Sequence, residues 1–257
     1  MAQYDRQTVN AGRVGTAAAI DEGLRAHMLR VYNYMGIGLV VTGVIAFFAN
    51  QLAIADSQAT AAGQLADGTL VTQWGALLYG SPLMWVVALS PLAFVLVLSF
   101  GINKLSFSAA QGVFWGFAAA MGLSLSSIFL VYTDASIAKV FFITAATFGT
   151  MSLYGYTTKR DLTGMGSFLM MGLIGLIIAM VVNIFLQSSM LDFAISAIGV
   201  LIFVGLTAYD TQKIKEAYVE GMGHESLGKL ALMGALRLYL DFINLFLMLL
   251  RLFGNRE

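Results

Sequence analysis

The sequence predicts an all-α membrane protein with seven transmembrane helices. Three observations carry that prediction. Of 257 residues, 59% are hydrophobic and only 11% charged, where an average soluble domain carries about a quarter charged residues. The mean hydropathy is +0.82. The apolar residues also collect into seven runs, each close to the ~20 residues that cross a hydrocarbon core as a helix. The cations, finally, collect on one side of the bilayer that those runs define.

The first span is 31–50. It follows a cytoplasmic N-terminal tail, 1–30, which holds four Arg and three acids without an apolar core, so no cleavable signal peptide is expected. The connection 51–82 is long, rich in Ala, Gly, Thr and Asp, and leads into Trp74, Tyr79 and Trp85, which suit a membrane interface. The second span, 83–103, contains Pro91, which should bend it. The third, 105–133, carries Gly112 and Gly116, small residues that let helices approach closely. The fourth, 137–158, stops at Lys159-Arg160. The fifth, 162–187, includes the glycine-spaced run "MGLIGLIIAM". The sixth, 193–214, is free of charge from Phe193 to Tyr209 and then reaches Asp210. The seventh, 231–253, is interrupted by Arg237 and Asp241. Residues 31–254 thus read as one membrane domain. The apolar runs are continuous rather than alternating, which argues against membrane strands.

With a cytoplasmic N-terminus, Arg6, Arg13, Arg25, Arg30, Lys104, Lys159, Arg160, Lys213, Lys215 and Lys229 lie inside. Lys139, Arg251 and Arg256 lie outside, and Arg237 lies within the last span. That asymmetry is the positive-inside pattern. A merged or missing span would scramble it.

Several function classes are disfavoured. Lys plus Arg equals Asp plus Glu, at 14 each, and no basic patch interleaves with aromatics, so nucleic acid is not indicated. The absence of Cys excludes disulfides, thiol catalysis and thiolate metal sites. Enzyme signals are poor. His27 and His224 are both expected outside the membrane core. "HESLG" (224–228) is not a zinc-protease helix motif, no GxSxG occurs, and the last span has no Lys for a retinal Schiff base. Tyr209-Asp210 is a weak echo of an intramembrane aspartyl protease, but the Gly-x-Gly-Asp partner is absent: Leu238-Tyr239-Leu240 precedes Asp241. The chain is therefore expected not to be an enzyme and to hold no tightly bound cofactor.

Ionisable residues inside a membrane are costly and few. Asp210 lies about 5 Å inside the boundary marked by Lys213, at 1.5 Å per residue. Asp241 is about 18 Å deep if the last helix starts at Lys229, but about 6 Å deep if Arg237 snorkels to the boundary. The second case puts the two aspartates at similar depth on neighbouring helices. A pair of carboxylates in one low-dielectric site is a plausible proton switch. Carboxylate oxygens also suit a hard cation such as Ca²⁺, although two carboxylates alone make a weak site. Asn33, Gln111, Asn183 and Asn244 are candidate interhelical partners. Asn244, three residues after Asp241 on the same face, is the best accessory ligand. The plainer alternative is structural: Arg237 and Asp241 are spaced i, i+4, and Asp210 has Lys213 and Lys104 within reach at the surface.

"GLTAYDTQKIK" (205–215) followed by "LRLYLDFINLFLMLLRLFG" (236–254) closely resembles the Bax inhibitor-1 family, also called the transmembrane Bax inhibitor motif family. "INKLSFSAAQGVFWGF" (102–117) fits as well, and the resemblance covers nearly the whole chain. It implies a seven-helix fold whose last helix is central and surrounded by the other six. It also implies a pH-sensitive Ca²⁺ leak governed by paired aspartates, which carry over to Asp210 of "AYDTQ" and Asp241 of "YLDFIN". Calcium ions and protons would then be the ligands, within a lipid bilayer. Some family members carry an acid in the second helix, but "SPLAFVLVLSFGINK" (90–104) has none. Lys104 becomes the candidate latch for Asp210, with Arg237 the rival. The ending "GNRE" lacks the basic tail of eukaryotic members, which favours a bacterial inner membrane over an internal eukaryotic one. An alternative function is a non-transporting modulator that binds a membrane-bound AAA protease or another membrane complex through the charged segment 212–229 and the N-terminal tail, His27–Tyr32 included.

Overall fold

The computed structural model describes the backbone of residues 2–65 and 68–255, and the side chains of residues 22–65 and 68–255. Among these residues seven helices are long and apolar enough to cross a membrane. They are α1 (Ala2–Ala53, with its spanning part Glu22–Ala53), α3 (Leu83–Gly101), α4 (Phe107–Leu125), α5 (Asp134–Thr157), α6 (Thr163–Leu186), α7 (Ser189–Glu216) and α8 (His224–Phe253). A short helix, α2 (Gln73–Gly80), lies in the long outer connection.

The fourth and sixth spans begin three to four residues earlier than the sequence suggests, at Asp134 and Ser189, and three larger differences each have a local cause. α1 does not begin at Val31. Residues 22–30 contain no proline, their one glycine, Gly23, is accommodated in the helix against Tyr218, and His27 and Met28 bury themselves against the bundle, so these residues are helix rather than tail. Arg6, Arg13 and Arg256, used in the charge count, lie outside the residues whose side chains are described. The third span is not one α-helix. After Leu125 it tightens into a 3₁₀ turn, Ser126–Leu130. Ser126 Oγ donates to the Leu123 carbonyl at 2.6 Å and Ser127 Oγ to Ser124 at 3.2 Å, back-bonding of the kind that disturbs regular α geometry. α8 begins at His224, about two turns earlier than Ala231 at 3.6 residues per turn. The outer connection also holds a small antiparallel pair, β1 (Gly63–Gln64) and β2 (Leu70–Val71). Thr72 then caps α2, accepting from the Gly75 amide.

α3 runs on through Pro91. Proline removes the N–H that would satisfy the carbonyl four residues back, and a bare carbonyl is costly in lipid. Ser90 compensates: its hydroxyl donates to that same Val87 carbonyl at 2.9 Å.

α8 is the central helix. In its membrane window 72% of residues are buried, against 11% for α3 and 6% for α6. It packs mainly on α1, α4, α5 and α7, and the ring is completed by α3 on α4 and α6 on α7. The two most apolar spans, α3 and α6, are the least buried. Lipid tails are as apolar as leucine, so burial inside the bundle gives such helices no advantage; polar and small residues go to the centre. The core around α8 is built from Phe114, Phe117, Leu232, Leu236, Tyr239 and Leu245, all nearly inaccessible. One interhelical hydrogen-bond chain crosses it. Tyr239 Oη and Thr42 Oγ1 are 2.6 Å apart, and Thr42 donates to the Ala118 carbonyl at 2.8 Å.

Candidate functional site

The site is assembled by the antiparallel packing of α7 on α8. Gly234 lies under Ile214 at the cytoplasmic end and Gly199 under Met248 farther out. Between these two contacts Asp210 of α7 and Asp241 of α8 come within hydrogen-bonding reach of each other. Asp241 is 5% exposed and its Oδ2 is buried with no donor among the described residues. Asp210 is half-buried. A hydrogen bond between two carboxyls needs a proton on one of them, because an ionised carboxylate is not a donor.

Each residue of the "YDTQKIK" stretch has a separate task in placing Asp210. Tyr209 packs over Gly166 of α6, and Lys213 Nζ sits 5.8 Å from its ring centroid. Thr211 Oγ1 bonds Ser152 Oγ of α5 at 2.9 Å, and Ser152 bonds Tyr32 Oη of α1 at 2.7 Å. Gln212 is 5% exposed; its Oε1 accepts from the Leu162 amide at 2.9 Å and its Nε2 donates to the Arg160 carbonyl at 2.8 Å. Lys215 donates to the Tyr156 carbonyl at 2.7 Å, near the end of α5. Gly155 of α5 lies so close to the Ala208 carbonyl that any side chain there would collide with it. α7 is thereby fixed in rotation and height by α5 and α6, which leaves Asp210 to face α8.

The basic residues stand apart from the pair. Lys213 is held by Glu216 at 2.7 Å and Lys229 by Glu225 at 2.9 Å. At the outer end Arg251 and Asp192 are 3.9 Å apart. Arg237 is exposed and forms no ion pair among the described residues, although its charge acts on both carboxyls. Lys104 is exposed in the turn after α3, likewise without an ion pair among the described residues. Neither rival latch is therefore bonded to Asp210 here. Asn244 Nδ2 donates to the Leu240 carbonyl of its own helix at 2.8 Å, rather than to Asp241. Gln111 donates to Tyr34 Oη at 2.7 Å, Asn183 accepts from the Ser188 amide at 3.1 Å, and Asn33 is exposed. His27 is not in a tail: it is buried in the opening turns of the spanning part of α1, its ring tilted against that of Tyr218 with centroids 5.6 Å apart. The hydroxyl cluster Tyr32–Ser152–Thr211 and the Gln212 clamp were not singled out from sequence. Their signal was available, since four consecutive polar residues, Asp210 to Lys213, cannot all face lipid.

A bundle of six apolar helices around a central seventh, with a carboxyl pair between the last two, defines a multi-pass membrane protein with an intramembrane diacid. The sequence profile of the family described as inhibitor of apoptosis-promoting Bax1 matches residues 24–257. The chain belongs to this family, the Bax inhibitor-1 family. It is 46% identical to the inner membrane protein YbhL of Escherichia coli K12 over 238 residues, 91% of this chain and 94% of that one. It is 48% identical to a Rickettsia prowazekii protein over 92% of each chain. A Streptococcus pyogenes membrane protein is 34% identical over 92% of this chain and 96% of its own length. The seven spans and the inner-membrane relative agree on a multi-pass protein of the inner membrane.

Proposed function

We propose that this protein is a pH-sensitive calcium leak of the inner membrane, with Asp210 and Asp241 as both proton switch and weak cation site. The observation that carries the reading is the meeting of the two carboxyls at the central helix, with one Asp241 oxygen buried and lacking a donor. With one proton between them, the carboxyls tie α7 to α8 and present a single negative charge. As pH rises and that proton leaves, two negative charges face each other at close range. They repel, which loosens the α7–α8 contact, and together they attract a divalent cation more strongly. Calcium is the transported substrate in this scheme, with main-chain carbonyls or water completing its shell. The chain's own residues move protons and ions rather than perform covalent chemistry, so the protein is not read as an enzyme.

The test is Ca²⁺ flux into dye-loaded proteoliposomes between pH 5 and 8. Wild type should show a flux that changes across this range. Asp210→Asn and Asp241→Asn should each flatten the profile. If both variants keep the wild-type flux and its pH dependence, the diacid scheme is wrong. If purified wild type passes no Ca²⁺ at any pH, the leak itself is wrong.

A further inference from the structure

α1 and α5 both pack on α8 but have no extensive contact with each other. Between them, at the cytoplasmic end of their spans, lies a groove of about 910 Å³. That is within the ~300–1,000 Å³ of typical small-molecule sites. Its sides are hydrocarbon: Met28 and Leu29 from α1, Phe148 and Leu153 from α5. Leu29 and Leu153 are 52% and 62% exposed, so the groove opens toward the bilayer. Two of its hydroxyls are already committed, because Tyr32 and Ser152 bond each other and Ser152 bonds Thr211. Water gains little from such walls, and an empty slot of this size would forfeit dispersion contacts along its length.

The mouth is different. Glu22 and Arg25 stand at the cytoplasmic end of the α1 span, three residues apart and therefore on one face. Both are exposed, and neither forms an ion pair among the described residues. One acid and one base above an apolar slot, each without an ion pair among the described residues, complement a headgroup that carries one phosphate and one ammonium. An anionic headgroup without an amine would satisfy Arg25 but repel Glu22.

We propose that the α1–α5 groove binds one aminophospholipid of the cytoplasmic leaflet. Its phosphate sits at Arg25, its primary ammonium at Glu22, and one acyl chain lies along Leu29, Phe148 and Leu153. This does not depend on whether the protein passes ions.

Gly149 offers a clean test. It lines the groove, and a Cβ added there meets nothing within 4 Å, so a larger side chain fills the slot without a clash at its base. The full chain is purified in mild detergent and stripped of lipid. It is then titrated with phosphatidylethanolamine, phosphatidylglycerol or phosphatidylcholine of the same acyl chains, and bound lipids are counted by native mass spectrometry. Wild type should hold one phosphatidylethanolamine about tenfold more tightly than either alternative, since phosphatidylcholine lacks N–H donors and phosphatidylglycerol lacks the cation. Gly149→Leu should lose that molecule while keeping the wild-type unfolding temperature. Glu22→Gln and Arg25→Gln, both at exposed positions, should each weaken it about tenfold. Equal retention of the three lipids would overturn the proposal. So would undiminished phosphatidylethanolamine binding by Gly149→Leu, or by both charge variants. A groove filled by a second copy of the chain, seen as a dimer that excludes lipid, would also overturn it.

Discussion

Replacing Gln212 with Leu should destabilise the cytoplasmic end of α7 by an amount the structure allows to be worked out. The two side chains are similar in size, so the change removes polarity with little change in volume. Lost are the bond from the Leu162 amide at 2.9 Å and the bond to the Arg160 carbonyl at 2.8 Å. Each is worth about 0.5–1.5 kcal/mol net, and a buried amide left without an acceptor costs about 1–3 kcal/mol more. Leu162 is 5% exposed, so water cannot readily replace the lost acceptor. The sum is roughly 2–6 kcal/mol. At about 2–4 °C per kcal/mol for a chain of this size, the unfolding temperature should fall by roughly 4–24 °C. Tryptophan fluorescence during heating in detergent reads the shift, and hydrogen exchange reads the Leu162 amide directly. Gln212→Glu keeps an acceptor for Leu162 but loses the donor to Arg160, so its loss should be intermediate. An unchanged unfolding temperature in Gln212→Leu, with the Leu162 amide still protected, would refute the clamp.

Three further outcomes are expected. Tyr239→Phe and Thr42→Val should show a coupling of about 0.5–1.5 kcal/mol in a double-mutant cycle, because their hydroxyls are 2.6 Å apart in the core; additive losses would show that they do not interact. Gly155→Leu should prevent folding, since it collides with the Ala208 carbonyl, while Gly149→Leu six residues earlier on the same helix is tolerated; equal yields of the two folded proteins would contradict the close α5–α7 approach. Hydrogen bonds from the Thr163 side chain, and then from its amide, hold the exposed Asp161 carboxyl below the ordinary carboxylate value. Its contribution to stability is therefore fully present above that ordinary value and is lost as pH falls through the depressed one. An NMR titration giving Asp161 an ordinary or higher value would contradict this.

How much was legible in the sequence differs between the fold and the site. The spans were legible because a bilayer turns a three-dimensional problem into a one-dimensional one: each crossing needs its ~20 apolar residues, and cations mark one side. The ends were less so. Nothing in residues 22–30 is apolar enough to announce a span, yet His27 and Met28 are buried there by packing against the bundle. The split of the third span at Ser126 depends on where serine hydroxyls point, which hydropathy does not record.

The site divides in the same way. Asp210 and Asp241 stood out by cost alone, since any acid in such a run is conspicuous. Their meeting did not follow from depth, which depended on where the last helix was taken to begin. α8 begins at His224, earlier than either assumption, yet the two aspartates still face each other. Their meeting follows from the register of two antiparallel helices, set by Ile214 on Gly234 and Met248 on Gly199. Rotation mattered as much as register. Thr211 toward α5, Gln212 toward the turn before α6 and Tyr209 on Gly166 leave Asp210 only one direction to face. Seven spans and two costly acids were legible in the residues alone, because solvation by lipid acts residue by residue. Only the tertiary structure decided that α8 is central, that the acids are partners and that neither Lys104 nor Arg237 is bonded to them. Those outcomes depend on which faces the helices turn toward one another, and that is settled by packing across the whole bundle.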